Sequence, residues 1–156
     1  MHPNAQLIRA FYTAFQKKDY KAMQDCYAPD AAFRDPVFQD LDAGAVKAMW
    51  EMLLGRSKDL SLEFADVAAD DHSGSARWTA TYTFGATGRK VVNRISARFE
   101  FRDGKIFRHT DTFDFYAWAR QAFGLSGWLL GWTPFFKSKV RRSARSGLDA
   151  FRANRT

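Results

Sequence analysis

The segment NRISARFEFRDGKIFRHTDTF, residues 93–113, predicts two antiparallel strands joined by a tight turn. In its first half, apolar side chains alternate with charged or polar ones. Such alternation is typical of a strand with one covered face and one wet face. Asp103-Gly104 is a strong signal for a two-residue hairpin. The second half is expected to form the last strand of the sheet, over about 105–114.

Similar alternation extends this sheet on its N-terminal side. Leu60, Leu62 and Phe64 alternate with polar or small residues, and the segment 78–84 alternates aromatic or small residues with threonines. A turn is expected at 85–88, where two glycines lie. The chain therefore predicts a meander of strands.

Helices are predicted before and after the meander in the sequence, from apolar residues at helical spacing and from capping residues. The predicted elements before the meander are a helix from Asn4 to about 18, a short helix capped by Asp19, a strand over 31–37, and a helix over about 42–54 with Gly55 as C-cap. Those after it are a short helix from 115 that ends at Gly124, an aromatic stretch over 128–132, and a basic helix that begins at Pro134. This order is α+β. The sequence divides into 1–124 as the main domain and 125–156 as an aromatic segment and a basic amphipathic helix packed on it.

The composition fits one domain with a bulky aromatic core or an apolar ligand cavity. The chain has 156 residues, with 15 Phe, 5 Trp and 5 Tyr, and Cys26 is its single cysteine. No apolar run reaches membrane-spanning length and the N-terminus does not resemble a signal peptide, so a cytoplasmic protein is expected. Of the net charge of +7, the segment 137–156 carries +6, so the basic character belongs to this tail.

Strand parity places several polar side chains on the covered face. On the last strand, Phe107 and Phe113 share parity with His109 and Asp111, so this pair is expected to point inward. By the same argument Asp35 points inward from the first strand. The argument adds Tyr82 and Asn93 to the inward set.

Polar groups on an aromatic face are costly unless they are paired or functional. One interpretation is an acid–base site in which Asp111 is the general acid or base, His109 tunes or shares its proton, and Asp35 is a second carboxylate. The other is a structural network in which His109 pairs with Asp111 and Asp35 caps the turn at Pro36. Both interpretations remain open at the level of sequence.

At these residues the sequence resembles the nuclear transport factor 2-like superfamily, and in particular its ketosteroid isomerase and SnoaL-like polyketide cyclase branches. The resemblance covers about residues 7–124. Its marks are the segments Asp19-Tyr20-Lys21-Ala22, Cys26-Tyr27-Ala28-Pro29-Asp30-Ala31, Phe33-Arg34-Asp35-Pro36, Arg102-Asp103-Gly104-Lys105-Ile106 and His109-Thr110-Asp111. The resemblance implies a cone-shaped α+β barrel, in which a strongly bent antiparallel sheet surrounds an apolar pocket and the N-terminal helices close its mouth.

The resemblance suggests two possible chemistries, that of the ketosteroid isomerases and that of the polyketide cyclases. Asp35 matches the general base of the ketosteroid isomerases, but their oxyanion-hole tyrosine falls on Phe11 and their protonated aspartate falls near Ala97. Neither residue can donate a hydrogen bond, so the steroid isomerase oxyanion hole is expected to be absent. Asp111 after His109 matches the acid–base aspartate that polyketide cyclases carry on the last strand.

Three functional hypotheses follow. The first is a cofactor-independent acid–base enzyme (isomerase, cyclase or hydrolase) for a small apolar substrate, with a binding set composed of Tyr12, Phe11, Trp50, Trp78, Tyr82, Asn93 and Phe99. The second is a non-catalytic binder of an apolar metabolite in the same pocket. The third is an interaction domain that uses the basic tail.

The partners expected are the pocket ligand and a second copy, since the family implies a homodimer through the outer sheet face. For the tail, packing on the domain is favoured over contact with an anionic membrane. Neither a metal nor a nucleic acid is expected: no third imidazole has suitable spacing beside His109 and Asp111, and the tail aromatics do not alternate with its cations.

Overall fold

A six-stranded sheet forms the body of the protein in the computed structural model, which describes residues 1–155. Its strands are β1 (Tyr27–Arg34), β2 (Leu41–Asp42), β3 (Ser61–Ala69), β4 (Ser73–Phe84), β5 (Arg89–Arg102) and β6 (Lys105–Thr112). The spatial order is β2-β1-β6-β5-β4-β3. The helices are α1 (Pro3–Gln16), α2 (Tyr20–Asp25), α3 (Ala43–Arg56), α4 (Phe115–Phe123), α5 (Leu125–Leu130) and α6 (Pro134–Asn154).

The predicted α+β cone architecture is confirmed, with two differences in the sheet. The sheet is curved but unclosed, with β2 and β3 at its edges, so it does not form a complete barrel. It is also mixed, because β1 pairs with β6 in parallel while the other neighbours are antiparallel. β1 and β6 are far apart in the sequence, and local alternation carries no information on the relative direction of distant strands.

The predicted hairpin turn between β5 and β6 is confirmed. Arg102 pairs with Lys105, and the two residues between them have positive φ, 53° at Asp103 and 74° at Gly104. Positive φ at both central positions is the type I′ turn, whose twist matches that of the flanking strands. The hairpin places β6 in the middle of the sheet, between β5 and β1.

The first helix begins earlier than predicted. His2 is its N-cap and accepts a hydrogen bond from the backbone N–H of Asn4 at 3.0 Å, while Pro3 occupies the first turn, where proline is favoured. Asn4 is therefore not the cap. Its buried side-chain amide donates to the carbonyls of Asp70 and Asp71 instead.

Two further predicted elements have wrong boundaries, and one of them concerns the site. Helix α3 continues through Gly55 to Arg56, and Ser57 is its C-cap. Strand β1 covers Tyr27–Arg34 rather than 31–37, so Asp35 lies just beyond its end and strand parity does not apply to it. The pairing of β1 with β6 is irregular between Tyr27 and Ala32, so strand parity does not predict which way the residues before Ala32 point.

The basic helix α6 packs on the body through one apolar face. Leu148 is fully buried on this face, and its neighbours along the stripe, Phe136, Val140, Ala144 and Phe151, are partly buried. α6 contacts α3, and Arg155 pairs with Glu51 of that helix at 2.7 Å. In the described chain, no helix has both the length and the apolar character needed to cross a bilayer.

Because Leu148 is fully buried, Leu148→Ala should lower the free energy of unfolding by about 2–4 kcal/mol, from lost burial and the cavity left behind. Urea denaturation measures this change. The control Ser146→Ala, at an exposed position of the same helix, should change stability by less than about 0.5 kcal/mol. Equal, small effects of both substitutions would mean that α6 does not pack on the domain in solution.

Candidate functional site

A chain of hydrogen bonds joins three elements in the interior. The indole Nε1 of Trp50 on α3 donates to Tyr27 Oη on β1 at 2.9 Å. Tyr27 Oη lies 2.8 Å from His109 Nδ1 on β6. On the other side of the imidazole, His109 Nε2 lies 2.9 Å from Asp111 Oδ1. The predicted pair is thus one end of a longer network.

The donors fix the direction of this network. An indole N–H can only donate, so Tyr27 Oη accepts from Trp50. Donation from Tyr27 to His109 Nδ1 is the assignment that gives the buried Tyr27 proton an acceptor. His109 then carries its proton on Nε2 and donates it to the carboxylate of Asp111. This assignment describes a neutral imidazole that orients an ionised Asp111.

Burial supports the same assignment for Tyr27. Its side chain is buried, and removal from water raises the pKa of Tyr27 well above its usual value, against the lowering effect of the Trp50 hydrogen bond. The charge of Asp111 raises this pKa further. Tyr27 therefore remains a protonated donor at neutral pH.

Aromatic rings enclose the imidazole. The centroid of the His109 ring lies 4.4 Å from that of Phe99, 4.9 Å from Phe33 and 5.7 Å from Phe11. His109 is 1% exposed and Asp111 is 4% exposed. The ionisable pair is thus held away from bulk water inside an apolar enclosure.

The register of the sheet explains why the pair points inward, and it corrects one step of the parity argument. Phe33 on β1 and Phe99 on β5 pair with His109, and all three are buried. Phe107 does not share this face: a bulge between Glu100 and Phe101 shifts the register. Ile106 is buried in its place. Phe107 is partly exposed, with the Arg102 guanidinium 3.7 Å from its ring centroid.

Two buried donors near this pair lack a partner among the described residues. They are Tyr12 Oη on α1 and Trp78 Nε1 on β4. Burial raises the pKa of Tyr12 well above its usual value, and the charge of Asp111 adds to the rise. Tyr12 is therefore a protonated donor within electrostatic reach of Asp111. A buried donor without an acceptor is energetically costly, so the absence of an acceptor for Tyr12 Oη and Trp78 Nε1 among the described residues needs an explanation.

Small side chains line the sheet beside the carboxylate. Ala97 pairs with Asp111, and Ala76 pairs with Ala97 on the next strand. Both alanines are buried. The covered face therefore changes from large aromatic rings around His109 to methyl groups around Asp111.

Two hollows lie along the outer face of the sheet. One hollow, of about 620 Å³, is lined on the outer sheet face by residues such as Ser75, Arg98 and Thr110. The other, of about 370 Å³, lies beside it along Arg77 and Ser96. Neither hollow is lined by Asp111 or by Tyr12, although Phe99 borders the larger one.

Asp35 caps a turn and also holds an elevated pKa. Its Oδ1 accepts the backbone N–H groups of Val37 at 2.7 Å and Phe38 at 2.6 Å. Burial nevertheless raises the pKa of Asp35 from 3.8 to about 7, and the charge of Asp111 contributes to the rise. The backbone hydrogen bonds and the charge of Arg141 act in the opposite direction. The two interpretations of Asp35 that the sequence left open thus each describe part of its environment.

The remaining predicted residues divide into two groups. Phe11, Tyr12, Trp50, Trp78 and Phe99 belong to the same buried cluster, around the pair. Tyr82 is partly buried, and burial raises its pKa, with a further rise from the charge of Asp35. Its Oη accepts from Trp118 Nε1 at 2.8 Å. Asn93 is 9% exposed and pairs with Ala80.

Sequence reasoning missed Tyr27. A strand that begins at 31 leaves Tyr27 in a loop, where parity gives no direction. A buried tyrosine needs a partner for its hydroxyl, but the sequence does not reveal that the partners are Trp50 and His109. The one available signal was the position of Tyr27 directly after α2, at the start of the extended segment.

Metal binding finds no support in the geometry of the described residues. No group of three or more His, Cys, Asp or Glu side chains is placed to hold an ion.

Comparison with protein families gives one match: the model of the SnoaL-like domain matches residues 8–109. Comparison with curated proteins gives no match. Among solved structures, an NTF2-like protein of unknown function from Burkholderia pseudomallei is 17% identical, with a TM-score of 0.68, over 80% of this chain and 100% of that one.

Two other solved structures carry functional names. IdmH from Streptomyces antibioticus, a candidate polyketide cyclase, is 20% identical with a TM-score of 0.65, over 77% of this chain and 98% of that one. An LEH-like epoxide hydrolase from M. tuberculosis is 20% identical with a TM-score of 0.63, over 77% and 89%. At these identities the likeness concerns the fold alone.

The elevated pKa of Asp35 predicts a pH-dependent stability that Asp35→Asn removes. A carboxyl with a pKa of 3.8 when unfolded and about 7 when folded binds more protons in the native state, so its contribution to stability falls between pH 4 and 7. Asn retains an acceptor for the two backbone N–H groups without the charge. At pH 8 the variant should be more stable than the wild type by at most about 4 kcal/mol, a limit that partial exposure lowers.

Urea denaturation at pH 4 and pH 8 measures this difference, with Asp103→Asn in the exposed hairpin turn as the control. At pH 4 the Asp35→Asn variant and the wild type should agree. A stability difference that is the same at both pH values would show that Asp35 has an ordinary pKa.

Proposed function

This chain belongs to the SnoaL-like domain family, and from that premise we propose that it is an acid–base enzyme for a small, apolar, oxygen-bearing molecule bound inside the cone. One observation carries the proposal. The network from Trp50 ends on the Asp111 carboxylate, within electrostatic reach of the unpartnered hydroxyl of Tyr12. A fixed base near a free donor is the arrangement needed to move a proton and to stabilise the charge that results.

In this proposal Asp111 takes a proton from carbon or from water. His109 does not touch the substrate: through its Nε2–H it holds the carboxylate in one orientation and is therefore a positioning residue. Tyr27 and Trp50 fix the tautomer that makes this possible. Burial of Asp111, which is 4% exposed, keeps water from competing for the base.

Tyr12 is the proposed donor to the substrate oxygen on which negative charge develops. Its hydroxyl is buried and protonated, and it has no protein partner among the described residues. Trp78 Nε1 is a second donor of the same kind. The neighbouring Phe11 cannot donate a hydrogen bond. Tyr12, at the next position of α1, would supply the tyrosine hydroxyl that the steroid isomerases have at the position of Phe11.

Asp35 is the proposed proton donor of the reaction. With a pKa of about 7, an appreciable fraction of this carboxyl is protonated at neutral pH, while Asp111 accepts the His109 hydrogen bond as a carboxylate. Two carboxyls in different protonation states divide the roles of acid and base. Such a pair serves isomerisation by proton shuttling, aldol-type cyclisation, or hydrolysis. The names of the structural neighbours include cyclase and hydrolase.

The second candidate function is non-catalytic binding of an apolar metabolite. The observation that favours it is that every hydrogen-bonding group of the His109 ring has a protein partner. In that case the network would be structural, and Tyr12 and Trp78 would bind a ligand without any proton transfer.

The proposed carboxylate base Asp111 should catalyse proton abstraction from 5-nitrobenzisoxazole, whatever the natural substrate is. In this elimination the base removes the ring C–H proton, the N–O bond breaks, and a coloured cyanonitrophenolate forms. Asp111→Asn should lower the rate by on the order of a hundredfold or more, since a positioned general base contributes that much. The absorbance of the phenolate measures the rate, and Asp149→Asn on the exposed face of α6 is the control.

Calorimetry with the same probe separates the two candidate functions. If the wild type binds the probe but its elimination rate is no greater than that of Asp111→Asn, the result would favour the non-catalytic binder. Loss of activity in Asp149→Asn as well would assign the reaction to surface carboxylates and contradict the proposal.

The two tyrosines should respond differently to removal of their hydroxyl groups. Tyr12→Phe removes a donor without a protein partner, so its stability should equal or exceed that of the wild type while the elimination slows about tenfold or more. Tyr27→Phe removes the partner of Trp50 Nε1 and of His109 Nδ1, and should cost about 1–3 kcal/mol of stability. Thermal unfolding together with the rate measures both effects. A stability loss in Tyr12→Phe would indicate a structural partner for its hydroxyl.

A further inference from the structure

Helix α5 buries its glycines and exposes its large side chains. Gly127 and Gly131 are buried against α4, where a Cβ on Gly127 would collide with the carbonyl of Ala119 and one on Gly131 would lie 2.8 Å from the Ala119 Cβ. The helix therefore lies close against α4 with its glycine face. Amphipathic helices of globular proteins normally bury their apolar face instead.

As a result, one segment holds most of the exposed large apolar side chains of the described chain; only Met1 and Val92 lie outside it. We call this segment, residues 125–135, the apolar knuckle. Its exposed members are Leu125 at 74%, Trp128 at 56%, Leu129 at 62%, Leu130 at 49%, Trp132 at 69% and Phe135 at 71%. Single exposed apolar residues are common, but a contiguous set of this kind marks an interaction surface.

The apolar knuckle is held in place by polar contacts to its backbone. Tyr116 Oη donates to the Trp128 carbonyl at 2.8 Å, and Trp132 Nε1 donates to the Leu129 carbonyl at 3.0 Å. The Arg120 guanidinium lies 4.7 Å from the ring centroids of Tyr116 and Trp128. These contacts order the segment while they leave its side chains exposed.

The surroundings of the apolar knuckle are positively charged. The chain contains no Asp or Glu between 115 and 148, while it contains Arg120, Lys137, Lys139, Arg141, Arg142 and Arg145. Phe135, Lys139 and Arg142 lie at positions i, i+4 and i+7 of α6, so they share one face of that helix. All three are exposed, because the opposite face packs on the body.

We propose that the apolar knuckle docks this protein on an anionic phospholipid membrane. The side chains of Trp128, Leu129 and Trp132 enter the boundary between headgroups and acyl chains, where tryptophan is favoured. Lys139 and Arg142 face the lipid phosphates, toward which they can extend along their aliphatic stems. The protein thus rests on the surface without spanning the bilayer.

Charge distinguishes this partner from a second copy of the chain. In a twofold contact through the apolar knuckle, Lys139 and Arg142 of one copy would approach the same residues of the other. The segment 115–148 offers no carboxylate to balance them. An anionic lipid surface supplies the missing negative charge.

Vesicle co-sedimentation of the full chain tests the proposal, with phosphatidylcholine vesicles and with vesicles that also contain phosphatidylglycerol. The protein should bind the anionic vesicles, bind the neutral ones much more weakly, and dissociate as the salt concentration rises. Each cation near the surface contributes about fivefold in affinity, so Lys139→Gln with Arg142→Gln should weaken binding by about 25-fold. Arg94→Gln with Arg98→Gln, exposed on the outer sheet face, is the matched control and should leave binding unchanged.

Tryptophan quenching by brominated lipids locates the inserted segment. Trp50, Trp78 and Trp118 are buried, so quenching should come from Trp128 and Trp132 and should disappear in the double variant Trp128→Phe with Trp132→Phe. The double variant Leu129→Ser with Trp132→Ser should abolish vesicle binding. Its far-ultraviolet circular dichroism spectrum should stay that of the folded protein.

Three outcomes overturn the proposal. One is equal weakening by the control pair on the sheet, which would indicate nonspecific attraction. Another is the absence of binding to anionic vesicles at low salt. The third is a dimer in sedimentation velocity that Leu129→Ser with Trp132→Ser converts to monomer while vesicle binding persists, which would assign the apolar knuckle to a second copy.

Discussion

The hydrogen bond from His109 Nε2 to the Asp111 carboxylate is the interaction on which the interior of this protein depends. A carboxylate that is 4% exposed is strongly destabilised unless a donor meets it, and in this chain the donor is a neutral imidazole. A hydroxyl donor at Nδ1 favours the tautomer in which the imidazole carries its proton on Nε2 and donates it to Asp111. Tyr27 is this donor, and Trp50 turns the Tyr27 hydroxyl toward the ring. One buried charge thus fixes the relative positions of α3, β1 and β6.

This network forms because of a feature of the sheet topology that sequence reasoning did not find. β1 lies parallel to β6 and brings Phe33 beside His109, while the early start of β1 brings Tyr27 to the other side of the ring. Parity within β6 was enough to place His109 and Asp111, because no irregularity follows Arg108 in that strand. It failed at Phe107 because the register shifts there: Ile106 and Arg108 pair with consecutive residues of β5, and Phe107 between them is unpaired. The pairing of β1 with β6 depends on tertiary structure, which alternation within a strand does not encode.

The C-terminal helix takes part in the environment of the second carboxyl. Arg141 Nε donates to the Pro36 carbonyl at 2.9 Å, in the turn that Asp35 caps, and the charge of Arg141 lowers the pKa of Asp35. Desolvation is the stronger effect, so the pKa remains near 7. The sequence predicted that this helix has an apolar stripe, since the spacing of Phe136, Val140, Ala144 and Leu148 is local. It could not predict the contact of Arg141 with a turn more than a hundred residues away.

Helix α4 connects the interior to the exposed apolar segment. On one side Trp118 donates to Tyr82, whose pKa is raised mainly by burial and further by the charge of Asp35. On the other side Ala119 lies so close to α5 that a Cβ on Gly127 would collide with the Ala119 carbonyl and one on Gly131 would lie 2.8 Å from the Ala119 Cβ. Because close-packed contacts leave no free space, α5 cannot shift toward α4 without displacing it. The two glycines therefore let α5 lie directly against α4, and they leave Trp128, Leu129 and Leu130 facing the solvent.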